Sequence, residues 1–310
     1  MQYYFAPLEG LTDSTYRALH HKYFPGVDRY YTPFFSPTVH RVLTNRESRE
    51  LPAADTLGVV VIPQILCKVA EDFVWMTGVC RDLGYPEVNL NLGCPSGTVT
   101  AKGKGSGMLR DLDNLDRFLS EIFEGTHLPI SVKTRIGFSD PQEWPAILEI
   151  LNRYPVKELT IHPRVRSAFY NGPVHMEAFD YALKNSNAPL CYNGDLCTLS
   201  QIEDFADLHP HVDSVMVGRG LIADPGLFTP GGTTNAVLAD FLNELLENYL
   251  VAFGGSRNAM FRLKEHWGLL QKHFDGGEKL FKQLRKTTDL SEFRNITGQI
   301  LSDVPFRTQK

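Results

Sequence analysis

The chain has 310 residues, 43% of them apolar and 22% charged, with a formal net charge of −5. That is a globular composition, long enough to bury a full core without a disulfide or metal staple, and sized for one large α/β domain with an appendage or for two ordinary domains. The acidity argues against a generic nucleic-acid binder, yet residues 256–310 hold eleven Lys/Arg against six Asp/Glu, which reads as a phosphate-tracking surface or as a solvated helical face.

The start, Met1 to Pro7, carries no basic leader and reads directly as a strand, so no signal peptide is expected and the default compartment is the cytoplasm. Strand 3–5 leads to a helix beginning near Asp13, and 28–31 is a second strand. Residues 59–65 form an apolar run of the kind found in a parallel sheet buried on both faces, followed by a helix over 70–83. Strand 88–92 precedes a helix near 113–123, strand 130–134 a helix near 142–152, and strand 159–161 a helix near 176–184. Strand 190–193 precedes a helix over 199–208, and strand 214–217 ends at Gly218-Arg219-Gly220.

Eight strands alternating with helices predict a closed parallel (β/α)8 TIM barrel over 1–234. A doubly wound open sheet is the alternative, but its glycine-rich first turn is absent: Pro7-Leu8-Glu9-Gly10 stands there. Thr229-Pro-Gly-Gly-Thr-Thr234 reads as a linker, and 235–310 as a small helical bundle domain with helices at 240–253, 258–274, 278–285 and 289–301.

Polar and glycine-rich segments follow the strands, at the end where barrel active sites lie. The five cysteines form no C-x-x-C pair, so neither a zinc site nor a disulfide framework is expected. Cys94 differs from the rest by its place, in Asn89-Leu-Asn-Leu-Gly-Cys-Pro95 just past strand four. The glycines at 103, 105 and 107 are expected to make a mobile loop that closes over a substrate. Gln64, Lys133 and His162 close strands three, five and six, and one such group alone would mean little. An inward lysine needs an anionic or electron-rich partner. Asn193-Gly194-Asp195 and Gly218-Arg219-Gly220 end strands seven and eight, where many barrels bind phosphate through backbone N–H groups. A phosphate site plus amide, ammonium and imidazole donors is what bound FMN requires, the lysine or histidine stabilising charge near N1 and O2.

These motifs, from Ala6-Pro7-Leu8-Glu9-Gly10 through Asn89–Pro95, Val132-Lys133-Thr134-Arg135, the segment from His162 to Gly172, Asn193-Gly194-Asp195 and Gly218-Arg219-Gly220, resemble the tRNA-dihydrouridine synthases over almost the whole chain. Leu8 stands where many members carry methionine, and Val165 and Ala168 replace a frequent threonine and glutamine. The resemblance implies FMN, NADPH as reductant, and reduction of the uracil C5=C6 bond in tRNA. It makes Cys94 the acid that protonates C5 while reduced flavin N5 delivers hydride to C6. It places Gln64, Lys133 and His162 on the flavin ring and Pro7, Leu8 and Glu9 beside it. Asn193, Gly194, Asp195, Gly218 and Arg219 would surround the ribityl phosphate, and Asn89, Asn91, Arg135, Arg164 and Arg166 would contact the substrate. A cysteine of near-normal pKa, roughly 8.5, is protonated at neutral pH and can donate. The tail fits a C-terminal RNA-binding domain, with Arg257, Arg262, Lys264, Lys272, Lys282, Arg285 and Lys286 as candidate contacts. The competing reading is an FMN-dependent barrel reductase of a free pyrimidine or enone, which has no need of a basic helical tail. A non-catalytic RNA-binding relative would not need Cys94, Lys133 and His162 together.

Overall fold

A computed structural model describes residues 1–56 and 58–308; Leu57 and the last two residues lie outside it. The described chain divides into two compact units. The first comprises Met1–Tyr4, Arg29–Asp195 and His209–Met216, and the second Phe5–Asp28, Leu196–Leu208 and Val217–Lys310.

The strands are β1 (Gln2–Phe5), β2 (Arg29–Tyr31), β3 (Val60–Ile62), β4 (Gln64–Ile65), β5 (Val88–Leu92), β6 (Ile130–Gly137), β7 (Leu159–Val165), β8 (Leu190–Tyr192) and β9 (Ser214–Val217). They form one sheet in the order β3-β2-β1-β9-β8-β7-β6-β5-β4. The ends of that order are the two halves of the expected run 59–65. Pro63 has no N–H to give the ladder, so the run is read as two short strands. The first half pairs parallel with β2, Tyr31 opposite Ile62, and the second pairs parallel with β5, Gln64 opposite Asn89. The Pro63 carbonyl accepts from Asn89 N at 2.8 Å, carrying the barrel across the break. This is the TIM barrel expected from the alternation.

In the first unit the sheet is covered by α2 (Asn45–Glu50), α3 (Ala70–Asp82), α4 (Gly97–Thr100), α5 (Leu112–Gly125), α6 (Trp144–Leu151) and α7 (Met176–Asn185). Helix α5 shows why these segments coil. The Asp111 carboxylate caps it by accepting from Asn114 N, and Leu115, Phe118, Leu119 and Ile122 recur at helical spacing on its buried face. Phe118 meets Phe73 of α3 edge-on, ring centres 6.3 Å apart.

The second unit holds α1 (Ser14–Tyr23), α8 (Leu199–Leu208), α9 (Arg219–Ala223), α10 (Asn235–Phe253), α11 (Ser256–Leu270), α12 (Glu278–Lys286) and α13 (Leu290–Asp303). The four tail helices are present, and α10 begins five residues before its expected start because the Thr234 side chain caps it at Val237 N. Helix α1 packs on them. Tyr16 stacks on His266 at 4.7 Å, and the Tyr249 hydroxyl donates to Asp13 at 3.1 Å. Among the described residues no helix is long and apolar enough to cross a membrane.

Alternation along β5, β6 and β7 puts apolar side chains (Leu90, Val132, Ile161) outward and a polar row inward. At the floor of that row Glu87, 1% exposed, accepts from Ser131 Oγ at 2.7 Å and pairs with Lys157 at 2.5 Å and Arg29 at 3.7 Å. Glu87→Ala takes the buried carboxylate from two cations and from the Ser131 hydroxyl. It is expected to lower the unfolding free energy by about 2–4 kcal/mol in urea titrations; a loss below about 0.5 kcal/mol would contradict this account of the floor.

Candidate active site

The site rises from that floor as one continuous run of hydrogen bonds. Ser131 Oγ accepts from Asn89 Nδ2 at 3.0 Å, and Asn89 Oδ1 accepts from Gln64 Nε2 at 2.8 Å. Gln64 Oε1 then accepts from Asn91 Nδ2 at 2.7 Å. Asn91 Oδ1 in turn accepts two backbone N–H groups, from Gly93 at 3.0 Å and from Cys94 at 2.9 Å. Each amide is fixed in orientation by its neighbours, so the turn after β5 has a single arrangement.

Cys94 is partly exposed, while Cys67, Cys80 and Cys191 are buried. Burial pushes the Cys67 and Cys80 thiols up to about 12, which removes them as nucleophiles at neutral pH. The Cys94 carbonyl accepts from the Ser106 hydroxyl at 2.8 Å. Part of the loop expected to be mobile has regular structure. Residues Gly105–Arg110 form a 3-10 helix with Gly105, Ser106 and Gly107 buried. A Cβ on Gly105 would lie 3.0 Å from both the Cβ and the carbonyl oxygen of Cys94, and the backbone there has φ +57°. The close approach to the cysteine thus requires glycine at this position. Lys104, in the same segment, reaches Ser36 at 2.7 Å.

Lys133 lies beside Asn91 in the β5–β6 register and beside Thr160 in the β6–β7 register. Its ammonium donates to Asn193 Oδ1 at 2.6 Å, and among the described residues it makes no ion pair. It is enclosed on most sides although part of the side chain stays accessible. Burial, and next the charge of Arg135, push its pKa down to about 8. Asn193 is itself held, donating to the Met216 carbonyl at 2.6 Å. A Cβ on Gly194 would sit 2.9 Å from the Tyr192 hydroxyl.

The arginines are largely committed to protein partners. Arg135, 1% exposed, donates to the carbonyls of Gly93 and Val165, each at 3.0 Å, and faces the Tyr170 ring at 5.4 Å. Burial lowers its pKa to about 10. Arg164, 3% exposed, grips both carboxylate oxygens of Asp195, which sits at φ +42°, and donates to the Gly172 carbonyl at 2.7 Å. The same guanidinium lies 3.2 Å from His162 Nε2, which makes that nitrogen the acceptor. Arg166 donates to the Pro95 carbonyl at 3.1 Å and the Thr100 hydroxyl at 3.2 Å.

So Gln64, Asn89, Asn91, Cys94, Lys133, Arg135, His162, Arg164, Arg166, Asn193, Gly194 and Asp195 all stand in the first unit. Asn89, expected to touch substrate, is fully buried with both amide ends bonded to Gln64 and Ser131, a supporting position. Pro7, Leu8, Glu9, Gly218 and Arg219 belong to the second unit. There Leu8 lies within 3.8 Å of where a Cβ on Gly218 would be. Sequence reasoning assigned nothing to Phe138, Phe169 or Tyr170, although two adjacent aromatics in a polar loop past β7 are a signal of surface function. Among the described residues no group of His, Cys, Asp or Glu is placed to hold a metal ion.

A family model described as dihydrouridine synthase matches residues 4–297. The tRNA-dihydrouridine(16) synthase of Neisseria meningitidis serogroup B is 26% identical over 312 residues, covering 95% of this chain and 93% of that protein. A probable tRNA-dihydrouridine synthase of Staphylococcus aureus is 30% identical over 232 residues, covering 70% of this chain and 68% of that one. A morphinone reductase variant in complex with tetrahydroNAD shares the fold, with a TM-score of 0.53 and 10% identity over 73% of this chain and 85% of that one.

The lowered pKa of Lys133 has a stability consequence. Folded, it loses its proton near 8; unfolded, it keeps it to about 10.5. Its charge therefore opposes folding below pH 8, and the penalty fades as pH rises from 8 to 10.5. Lys133→Met in ligand-free protein is expected to raise stability by about 1–2 kcal/mol at pH 7, a gain that shrinks through the same window. Equal stability of the two proteins at pH 7 would contradict the burial of this charge.

Proposed function

The chain belongs to the dihydrouridine synthase family, and from that membership we propose that it is an FMN-dependent oxidoreductase that reduces the C5=C6 bond of uridine in tRNA with NADPH. The observation that carries the reading is Lys133. A largely enclosed ammonium with a neutral amide partner is costly unless an electron-rich group comes to it. A flavin would meet that need: Lys133, His162 and Gln64 would hold its ring, and Asn193, Gly194 and Asp195 its ribityl phosphate. Pro7, Leu8, Glu9, Gly218 and Arg219 are assigned to the cofactor on the sequence motif alone.

When bound, the flavin supplies the hydride that adds to C6 of the uracil. The chain's own residues do the rest. Cys94 Sγ holds the proton that goes to C5. It acts as a neutral thiol and forms no bond to the base. Asn91 holds the Cys94 turn through two N–H groups, and Arg135 holds the Gly93 carbonyl of the same turn. These two, with Asn89, act by positioning. Arg166 stands at the RNA side, bonded to the carbonyl next to Cys94. The target base lies inside folded RNA and must turn out to reach the thiol.

Residues 1–234 carry catalysis in this reading, and 235–310 bind tRNA through Arg257, Arg262, Lys264, Lys272, Lys282, Arg285 and Lys286. The basic tail favours tRNA over a free pyrimidine or enone. The work is placed in the cytoplasm, with its substrate.

The test is mass-spectrometric measurement of dihydrouridine in tRNA incubated with flavin-loaded protein and NADPH. Wild type is expected to form it. Cys94→Ala should form it at least about 100-fold more slowly while keeping its flavin. No dihydrouridine from wild type would sink the reading, and a fully active Cys94→Ala would remove the acid.

A further inference from the structure

A row of alternating cations and rings runs from the segment that holds Cys94, and the reaction leaves most of it without a role. The Arg110 guanidinium lies 4.7 Å from the centre of the Phe138 ring. Arg166 lies 5.2 Å from Phe138 and 5.0 Å from Phe169. Both cations are tied to the Cys94 segment. Arg110 donates to the Thr100 carbonyl at 2.8 Å, and Arg166 to the Thr100 hydroxyl and to Pro95, next to Cys94. At its far end the row opens to solvent, Phe169 being 42% exposed.

The backbone places that ring under strain. Phe169 has φ +48°, a conformation glycine adopts freely and a bulky residue rarely takes. Its loop is pinned on both sides. Ser167 N donates to the Phe138 carbonyl at 3.1 Å, and Arg164 holds the Gly172 carbonyl. An exposed ring adds little to folding, and strain of this kind persists where the side chain is needed. Arg166 beside it is half-buried and Arg110, at the other end of the row, is exposed, so the row presents cations with the ring. An apolar protein surface would leave those charges without partners. A nucleic-acid strand offers phosphates to the cations and a π face to the ring.

We propose that Phe169 is a stacking platform for a tRNA base flanking the turned-out uridine, with Arg166 backing the ring. The inference rests on the reading of Cys94 as the acid of a uridine-reducing site. A stacked neighbour holds the strand in register, so that the turned-out base meets the thiol rather than sliding past it.

The discriminating variant is Phe169→Gly, because glycine relieves the strain while removing the ring. It should melt at or above the wild-type temperature, with wild-type flavin content. Its KM for unmodified tRNA should rise roughly 5- to 100-fold, with the loss on KM rather than kcat. Phe169→Ala should lose affinity likewise, and Phe169→Trp should keep it. The proposal falls if glycine and alanine variants match wild type in KM, if the loss is in kcat alone, if tryptophan fails as glycine does, or if activity drops only in step with melting temperature. If wild type leaves tRNA unreduced, the reading of the site falls first and the stack with it. If wild type reduces tRNA and the Phe169 variants do so equally well, only the stack falls.

Discussion

One carboxamide oxygen governs the mouth of this barrel. Asn91 Oδ1 accepts the N–H groups of both Gly93 and Cys94, and its own Nδ2 is held by Gln64. Gln64 is held by Asn89, Asn89 by Ser131, and Ser131 by Glu87, whose charge two cations balance. No member of that run can turn over without breaking a buried hydrogen bond. The direction of the Cys94 side chain is therefore set by groups as deep as the barrel floor. Gly105 and Ser106 close the cysteine from the other side, one by lacking a Cβ and one by bonding its carbonyl.

The same interior carries a stability penalty that folding alone does not explain. A barrel filled with leucine and valine would need neither a lysine with a lowered pKa nor an arginine enclosed to 1% exposure. Lys133 and Arg135 lie two residues apart on one strand; burial and then the charge of Arg135 lower the lysine's affinity for a proton, and burial lowers that of Arg135. Arg164 and Asp195 satisfy each other. Arg135 spends its N–H groups on two carbonyls, and the Lys133 ammonium has the Asn193 amide oxygen. An electron-rich group brought to Lys133 would offset that penalty.

Much of the fold was legible because strand and helix periods differ. The strands 88–92 and 214–217 and the helix 199–208 fall where their patterns end. Other boundaries shift for identifiable reasons. Pro63 divides one apolar run into two strands. Strands β6 and β7 continue past the expected ends, paired through a register shift between Arg135 and Gly137. The short helices α2 and α4 are under two turns and carry no period to detect. At the site, Cys94 follows β5, whereas Lys133 and His162, expected at strand ends, lie inside β6 and β7 because both strands run on past them. What local sequence could not show was pairing across 25 to 71 residues of chain: Gln64 with Asn89, Arg164 with Asp195, Arg166 with Pro95. Glycines look alike in sequence whether they grant motion or close packing, so the close approach of Gly105 to Cys94 was not legible there.

The central claim is that Cys94 is a held, neutral thiol that gives one proton to C5. The most direct measurement is turnover of tRNA in D2O, followed by isotopic analysis of the dihydrouridine. Thiol protons exchange with solvent, so wild type should place a single deuterium at C5, on one face only. Cys94→Ala should lose most of the rate, and its residual product should be labelled on both faces. A Cys94→Ala protein that keeps both the rate and the single labelled face would contradict the account.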